Sequence, residues 1–419
     1  MNARERVLAA LNHRQSDRVP LDLGGSAVTG MHVSSVYRLR QALHLDPPGT
    51  PVKVVEPYQM LGEIQPDLMD ALGVDVVGLF APRTMFGFRN EGWKPWTTFD
   101  GTPVLVPEGF NTQVEENGDL LMYPEGDRSA PPSGRMPQGG FYFDAIVRQP
   151  PIHEEKLDPA DNLEEFTPIS EEDLAYFARK ADELWHQSDR AILASFGGTA
   201  FGDIALVPAP WLKYPKGIRD IEEWYISTVT RREYVWKVFE KQCEIGLANL
   251  ARLYAVVGEK VSVVFISGTD FGTQTGPFIS RKTYRTLYQP FHKQVNDWIH
   301  RNTGWKSFIH SCGSVAALIP DFIEAGFDVL NPVQVSASGM DPAWLKREFG
   351  KDLVFWGGGV DTQHTLPFGS PDEVRAEVRK HLRIFGEGGG YVFTTVHNVQ
   401  AGVPVENLLA LYETVREAA

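Results

Sequence analysis

Hydrophobic and polar positions follow two alternating patterns along much of the 419-residue chain. From about residue 160, short apolar runs that are typical of buried strands alternate with longer stretches of helical periodicity. The predicted strands are residues 191–196, 261–266, 305–309, 328–332, 353–356 and 391–395, and the predicted helices are residues 171–187, 217–229, 231–257, 281–302, 315–325, 340–349, 371–385 and 405–418. This alternation is typical of a parallel sheet. About seven or eight such repeats favour an α/β fold of the (β/α)8 TIM-barrel type over an open doubly wound sheet.

The N-terminal part of the chain has a different pattern. Its predicted elements are helices at residues 3–11, 32–43 and 58–72, an extended segment at residues 19–23 and a strand at residues 74–80. Residues 81–150 are rich in glycine, proline and aromatic residues, which predicts a β-rich insertion with long loops. We therefore expect a single barrel domain over residues 1–419, with an N-terminal helical extension and this insertion beside the barrel mouth.

Composition narrows the class of protein. A hydrophobic content of 42% with 11% aromatic residues is enough for a large core, and the net charge of -14 argues against a nucleic-acid or anionic membrane surface. Two cysteines cannot build a disulfide framework, and their scarcity is compatible with a reducing cytosol. The N-terminus has no signal-peptide pattern, and no apolar run of about 18 residues predicts a membrane span. These features favour a cytoplasmic enzyme.

The residues with the most informative chemistry are His310, Cys312 and His397. Residues i and i+2 of a strand point to the same side, so an H-x-C sequence at a strand end directs an imidazole and a thiol to one point. His397 follows a second predicted strand. If the two strand ends converge, the set has three zinc-competent ligands and an open fourth position, as in catalytic zinc sites. A buried structural cysteine and hydrogen-bonded histidines are the alternative at this point.

In a barrel of this type, active sites lie at the carboxyl ends of the strands. Besides the three residues above, the predicted strand ends carry Gly197, Gly198, Asp270, Asn331, Gln334, Asp361 and Asn398. Asn331 and Gln334 could instead serve loop hydrogen bonding, and Asp361 could cap a helix. Gly357–Gly359 lacks dinucleotide-binding spacing, so no Rossmann-type site is predicted.

Several segments together resemble the uroporphyrinogen decarboxylase superfamily. They are residues 4–13, 17–20, 266–274, 276–280, 310–313, 356–361 and 388–391. The resemblance covers nearly the whole chain and is specific as a combination. It implies the (β/α)8 barrel that the alternation also favours.

The resemblance implies one of two activities. Uroporphyrinogen decarboxylases carry an arginine-rich motif near the N-terminus, but the matching stretch here, Pro20–Thr29, contains no arginine. A substrate rich in carboxylates needs cationic clamps, so this departure argues against decarboxylation. The other branch resembles methylcobalamin:coenzyme M methyltransferase, whose members bind zinc through an H-x-C motif and a later cysteine. His310 and Cys312 match the first two ligands, and His397 stands where that cysteine usually is.

The second branch implies a zinc-dependent methyl transfer. Zinc would lower the pKa of an acceptor, and the methyl donor would be methylcobalamin or another corrinoid on a partner corrinoid protein. The acceptor would be a small thiol or a tetrahydrofolate-type compound. Asp270 and Asn398 are then candidates for orienting groups in catalysis, and Asn331, Gln334 and Asp361 for binding the cofactor. A metal-free decarboxylase and a non-catalytic corrinoid- or tetrapyrrole-binding protein are the alternatives.

Overall fold

The computed structural model describes residues 1–418. Within that range the strands are β1 (Val52–Glu56), β2 (Leu61–Gly62), β3 (Val76–Phe80), β4 (Lys94–Thr97), β5 (Pro103–Val106), β6 (Gln113–Val114), β7 (Leu120–Met122), β8 (Gly134–Met136), β9 (Asp144–Ala145), β10 (Ala191–Ser195), β11 (Val261–Ser267), β12 (Lys306–His310), β13 (Val329–Asn331), β14 (Val354–Trp356) and β15 (Tyr391–Val392). The α-helices are α1 (Ala3–Leu11), α2 (Val33–Ala42), α3 (Pro66–Leu72), α4 (Glu171–Gln187), α5 (Ile221–Thr230), α6 (Arg232–Val257), α7 (Arg281–Thr283), α8 (Gln289–Asn302), α9 (Ile319–Glu324), α10 (Pro342–Phe349), α11 (Thr365–Phe368), α12 (Pro371–Gly386) and α13 (Val405–Glu417). A π-helical turn at Tyr284–Tyr288 joins α7 to α8.

A parallel sheet of seven strands forms the centre of the molecule. Its order is β15-β14-β13-β12-β11-β10-β3, and every neighbouring pair is parallel. Because helices connect successive strands, the carboxyl ends of all seven strands lie at one edge, where barrel enzymes place their active sites.

The segment Pro20–Asp22 connects the two edge strands of this sheet. The Phe393 amide donates to the Pro20 carbonyl and the Asp22 amide to the Phe393 carbonyl, while the Asp75 amide donates to the Leu21 carbonyl. The α/β fold with a curled parallel sheet is therefore confirmed. Eight complete β/α units are not shown, since the seven strands are joined at this point by a short extended segment.

Helix α1 covers the amino ends of the strands. Asn2 caps the helix through the Glu5 amide, and the Glu5 side chain accepts from the Asn2 amide in return, which satisfies two free N–H groups. The helix buries Val7, Ala10 and Leu11 in an apolar cluster inside the sheet. Other members of that cluster are Val76, Ala191, Leu193, Val263, Phe308, Val329, Val354, Trp356 and Val392. The interior of the sheet is thus a packed core, which leaves the carboxyl ends as the accessible side.

Two small sheets flank the barrel-like core. One has the order β2-β1-β5-β4 and the other β6-β7-β8-β9. Residues 58–72 do not form the predicted single helix, because Pro66 lacks an amide hydrogen and instead opens α3 at its first turn. Leu61 and Gly62 instead pair with β1 as strand β2. Glycine also suits this position because a Cβ atom at Gly62 would lie 3.0 Å from the Val33 backbone.

Within residues 1–418, no helix has both the length and the apolar character needed to cross a membrane.

Candidate metal centre

Strand β12 brings His310 and Cys312 to the carboxyl edge of the sheet. Phe308 lies two residues before His310 in the packed interior, so His310 follows it on the same inner side of the strand. Beyond the strand, Gly313 has a positive φ of 84°. A Cβ atom there would lie 2.5 Å from the Gly272 backbone, so only glycine allows this turn. The turn holds the thiol of Cys312 beside the imidazole of His310.

The predicted triad converges. The ligand-capable atoms of His310, Cys312 and His397 all lie within 4.8 Å of one another. The Cys312 sulfur is 3.4 Å from His310 Nε2. The two imidazole rings are arranged edge to face with their centroids 5.4 Å apart. His310 is buried, whereas Cys312 and His397 are half-buried, so the group faces the accessible edge rather than the closed core.

Asn331 fixes the tautomer of His310. The Asn331 side-chain nitrogen donates to the Trp356 carbonyl at 2.8 Å, which identifies its other side-chain atom as the oxygen. That oxygen lies 2.6 Å from His310 Nδ1, so Nδ1 carries the hydrogen and donates. His310 Nε2 is then the unprotonated nitrogen, with a lone pair directed at the triad. Metal-binding histidines commonly have this second hydrogen bond.

Asp270 and Gln334 hold the turn that carries Cys312. The Cys312 amide donates to Asp270 Oδ1 at 2.6 Å, and the Gly313 amide donates to Gln334 Oε1 at 2.7 Å. Asp270 Oδ1 is also 3.8 Å from His310 Nε2. Both residues therefore contact the backbone of the ligand loop, and Asp270 also lies next to the triad itself.

Asn398 joins the segment after His397 to the N-terminal loop. Its side-chain oxygen accepts from the Gly30 amide at 2.6 Å, and its nitrogen donates to the Ala27 carbonyl and to Gln59 Oε1, both at 2.8 Å. These bonds occupy both polar atoms of the side chain, so Asn398 positions the strand end rather than offering a free group to a substrate.

Asp361 lies at the carboxyl end of β14 but makes only local contacts there. One carboxylate oxygen accepts from the Gln363 amide at 2.8 Å, and the other is 3.0 Å from His364 Nδ1. Its own amide donates to Glu377. These contacts form a local turn before α11, whose N-cap residue is His364, so Asp361 is not the helix cap that the sequence offered as the alternative to cofactor binding.

Burial favours the uncharged forms of all three triad side chains, and the nearby carboxylates add to this effect at the Cys312 thiol. Burial raises the pKa of the Cys312 thiol well above its ordinary value, and Asp270 and Asp203 raise it further. Burial lowers the pKa of His310, and burial together with His310 lowers the pKa of His397 to about 3. The donor set is thus two neutral imidazoles and one thiol whose ionisation needs a positive charge, which fits a divalent metal of the zinc class.

Asp203 and Tyr225 also belong to this edge, although the sequence patterns did not identify them. Asp203 is buried and its charge acts on Cys312, and the Tyr225 hydroxyl donates to the Asp270 carbonyl at 2.5 Å. The available signal was weak: Asp203 follows the strand-end glycines Gly197 and Gly198 in a loop without regular periodicity. Tyr225 lies on a helix and had no distinguishing sequence pattern.

Comparisons with known proteins agree with this architecture. The model of the uroporphyrinogen decarboxylase (URO-D) family matches residues 151–418, which is more than half of the chain. Among curated proteins, the uroporphyrinogen decarboxylase of Pelodictyon phaeoclathratiforme is 25% identical over 193 residues, covering 44% of this chain and 52% of that protein. That of Chlorobium phaeobacteroides is 26% identical over 190 residues, covering 43% of this chain and 51% of that protein. The chain therefore spans about half the length of these relatives.

A solved structure matches the whole fold. A methyltransferase from Methanosarcina mazei aligns with a TM-score of 0.55 over 100% of this chain and 99% of its own, at 14% sequence identity. At this identity the match concerns the fold alone.

Proposed function

This chain belongs to the uroporphyrinogen decarboxylase family, and within it we propose that the protein is a zinc-dependent methyltransferase. The methyl group would come from a methylated corrinoid and pass to a thiol or a tetrahydrofolate-type acceptor. In this proposal Pro20–Asp22 takes the place of the eighth strand in a (β/α)8 barrel, which is supported by its hydrogen bonds to both edge strands.

The single observation that carries the proposal is the convergence of His310, Cys312 and His397. Three ligand types that zinc prefers lie within 4.8 Å of one another, although His397 is 85 positions from Cys312 in the sequence. Three protein ligands leave a position for a substrate, which is the pattern of catalytic rather than structural zinc.

The charges at the site favour methyl transfer over decarboxylation of a tetrapyrrole. A substrate rich in carboxylates requires arginine or lysine partners. Within residues 1–418, Asp203 and Asp270 lie at the triad and neither forms an ion pair with a lysine or an arginine. Two carboxylates at this position would repel such a substrate.

Each residue of the site has a definite task in this account. His310, Cys312 and His397 would hold the metal, with His310 Nε2 kept free of hydrogen by Asn331. Asp270 and Gln334 hold the loop of Cys312, and Asn398 holds the strand end of His397. A bound zinc ion would supply Lewis acidity that lowers the pKa of the acceptor in the open position.

The corrinoid would approach from the carboxyl edge of the sheet. Gly197 and Gly198 follow β10 there, and a Cβ atom at either position would contact no other atom within 4 Å. This open space at the carboxyl edge of the sheet supports docking of a corrinoid carried by a separate protein. The cofactor would then present its methyl group to the acceptor, with the apolar core below excluding water.

The test combines metal content with methyl transfer. Purified wild-type protein should contain about one zinc per chain and should demethylate methylcobalamin in the presence of a thiol, measured anaerobically by absorbance. The variant Cys312→Ser should lose both properties, because a serine hydroxyl has a far higher pKa than a thiol and is a poor zinc ligand.

Cys243→Ser is the matched control. Cys243 lies on α6 with an exposed fraction of only 2%, far along the chain from any strand end. This variant should retain zinc and activity. Equal losses in the two serine variants, or wild-type activity on uroporphyrinogen without bound metal, would contradict the proposal.

A further inference from the structure

We propose that Asp203 and Asp270 form an acidic wall beside the metal triad that selects a methyl acceptor carrying a positive charge close to its reacting atom. This inference rests on the proposed function and narrows its acceptor. Neutral acceptors would bind less well, and acceptors with an anionic group near the sulfur would bind least.

Asp203 is a buried carboxylate with an unused oxygen. Its exposed fraction is 7%, and one carboxylate oxygen accepts from the Ala205 amide at 2.9 Å. Among residues 1–418, the other oxygen has no hydrogen-bond donor. A Cβ atom at position 268 would lie 2.6 Å from that second oxygen, so Gly268 provides the room in which it sits. The residual exposure of Asp203 leaves this oxygen open to a ligand, and a cationic partner would offset the cost of holding a carboxylate in a mostly buried place.

The loop of Asp203 is fastened to the loop that carries Asp270. Thr199 donates through its hydroxyl to the Ile266 carbonyl, and Thr269 donates in the opposite direction to the Phe201 carbonyl, each at 2.8 Å. The two carboxylates therefore belong to one braced unit at the carboxyl ends of β10 and β11. Their position is set by the fold rather than by a free surface loop.

Asp270 lies directly beside the metal ligands, since its Oδ1 is 3.8 Å from His310 Nε2 and accepts from the Cys312 amide. Burial raises the pKa of Asp203 to about 7, and the charge of Asp270 adds to this shift, so the two carboxylates repel each other. A cationic group placed between them would offset this repulsion, whereas an anionic group would add to it. The site thus distinguishes acceptors by charge before any chemistry takes place.

Aromatic side chains border the same wall. Tyr225 donates to the Asp270 carbonyl, and its ring is stacked on Phe278 with centroids 5.2 Å apart. Phe278 has an exposed fraction of 51%, so an aromatic face is presented at the rim. Aromatic faces attract ammonium groups, which is consistent with a cationic acceptor.

Three thiols with the same two-carbon chain test the inference: cysteamine, 2-mercaptoethanol and 2-mercaptoethanesulfonate. The protein is loaded with Co²⁺ in place of zinc, and thiol binding is followed by the increase in the sulfur-to-cobalt charge-transfer band above the contribution of Cys312, which does not depend on turnover. Cysteamine should bind at least about tenfold more tightly than the sulfonate, as expected for one favourable and one unfavourable charge contact near a buried site.

Two variants test whether Asp203 causes the preference for cysteamine over the sulfonate. Asp203→Asn should reduce the ratio of the two dissociation constants by about threefold or more. Asp297→Asn removes a charge of the same sign from the half-exposed surface of α8 and should leave the ratio unchanged.

Two outcomes would overturn the inference without touching the proposed function. One is sulfonate binding as tight as cysteamine binding, and the other is an unchanged ratio in Asp203→Asn. A cobalt-loaded protein whose sulfur band does not increase with any of the three thiols would overturn the inference as well. In that case, zinc content and methyl transfer to non-thiol acceptors decide the proposed function separately.

Discussion

The two ends of the central sheet treat buried carboxylates in opposite ways. At the amino end, Asp75 has an exposed fraction of 1%, and both of its oxygens are bound by Arg6 and Arg18 at 2.7 to 2.9 Å and by the Leu21 amide at 2.8 Å. At the carboxyl end, Asp203 is nearly as buried but accepts a single hydrogen bond.

The number of hydrogen-bond partners distinguishes the structural role of Asp75 from the ligand-binding role that we propose for Asp203. The fully paired Asp75 ties α1 and the segment Pro20–Asp22 to β3, so it holds the sheet together. Asp203 contributes no such link and weakens the folded state when it is ionised, and the proposed selection of a cationic acceptor would account for its retention at the carboxyl end. The same division is expected for barrels generally, in which residues at the amino ends of the strands stabilise the fold and residues at the carboxyl ends form the active site.

Removal of the paired carboxylate should have the largest effect on stability. Asp75→Ala leaves the buried Arg6 and the half-buried Arg18 without their shared partner and should lower the free energy of unfolding by about 3–5 kcal/mol. Chemical denaturation measures this change. Asp17→Ala removes the half-exposed partner of the same Arg6 and should cost less than about 1 kcal/mol. Similar losses of unfolding free energy in the two variants would show that the buried pairing of Asp75 stabilises the fold no more than an exposed ion pair.

Asp203→Asn should raise the free energy of unfolding rather than lower it, and the size of the gain should depend on pH. The pKa of Asp203 is raised to about 7 in the folded protein, so its contribution to stability is present at acidic pH and is lost as the pH rises through about 7. In metal-free protein the asparagine variant should gain about 2–4 kcal/mol relative to wild type between pH 4 and pH 8. A difference in unfolding free energy that does not change over this range would contradict an unpaired carboxylate.

Asn331→Ala should weaken metal binding without unfolding the protein. The change removes the acceptor that keeps the hydrogen on His310 Nδ1, and such outer contacts are typically worth 10- to 100-fold in metal affinity. Competition with a zinc chelator measures the loss. Asn331→Asp keeps an acceptor at the same place and should retain more of the affinity. Equal affinity in wild type and Asn331→Ala would show that Asn331 has no role in orienting His310.

The smallest effect is expected at the second cysteine. Burial raises the pKa of the Cys243 thiol to about 12, and its sulfur is 4.0 Å from Gln294 Oε1. Cys243→Ser should lower the free energy of unfolding by about 1 kcal/mol, as for an average core substitution, and should leave the zinc content unchanged. A loss of zinc in this variant would break the distinction between a packed cysteine and a ligand cysteine.

Local patterns in the sequence predicted much of this architecture. The helix at residues 171–187 matches α4, and the strand predicted at 191–196 matches β10 within one residue, since apolar periodicity and helix caps are short-range properties. The convergence of the H-x-C pair with His397 followed from two local facts: a strand has a period of two, and parallel strands end on the same side. Strands β13 and β14 lie between β12 and β15, so the curl of the sheet and the loop after β15 were also needed to bring these side chains together.

The remaining features depend on contacts between distant parts of the chain. The segment Pro20–Asp22 has no strand periodicity, and its place between β15 and β3 results from hydrogen bonds to residues 54 to 373 positions away. The predicted helix at 58–72 failed because pairing of β2 with β1 and the proline at position 66 override local helical periodicity. Asp203 lies in an irregular loop, so its burial could not be inferred from any repeat.

The most direct test of the account is the coordination of the metal in the purified protein. X-ray absorption at the zinc edge should show about one sulfur at ~2.3 Å and two imidazole nitrogens at ~2.0–2.1 Å, with a further light ligand. The sulfur signal should be absent from whatever zinc remains in Cys312→Ser. Zinc that has no sulfur ligand in the wild-type protein, or protein that takes up no zinc when it is supplied, would contradict the site of His310, Cys312 and His397.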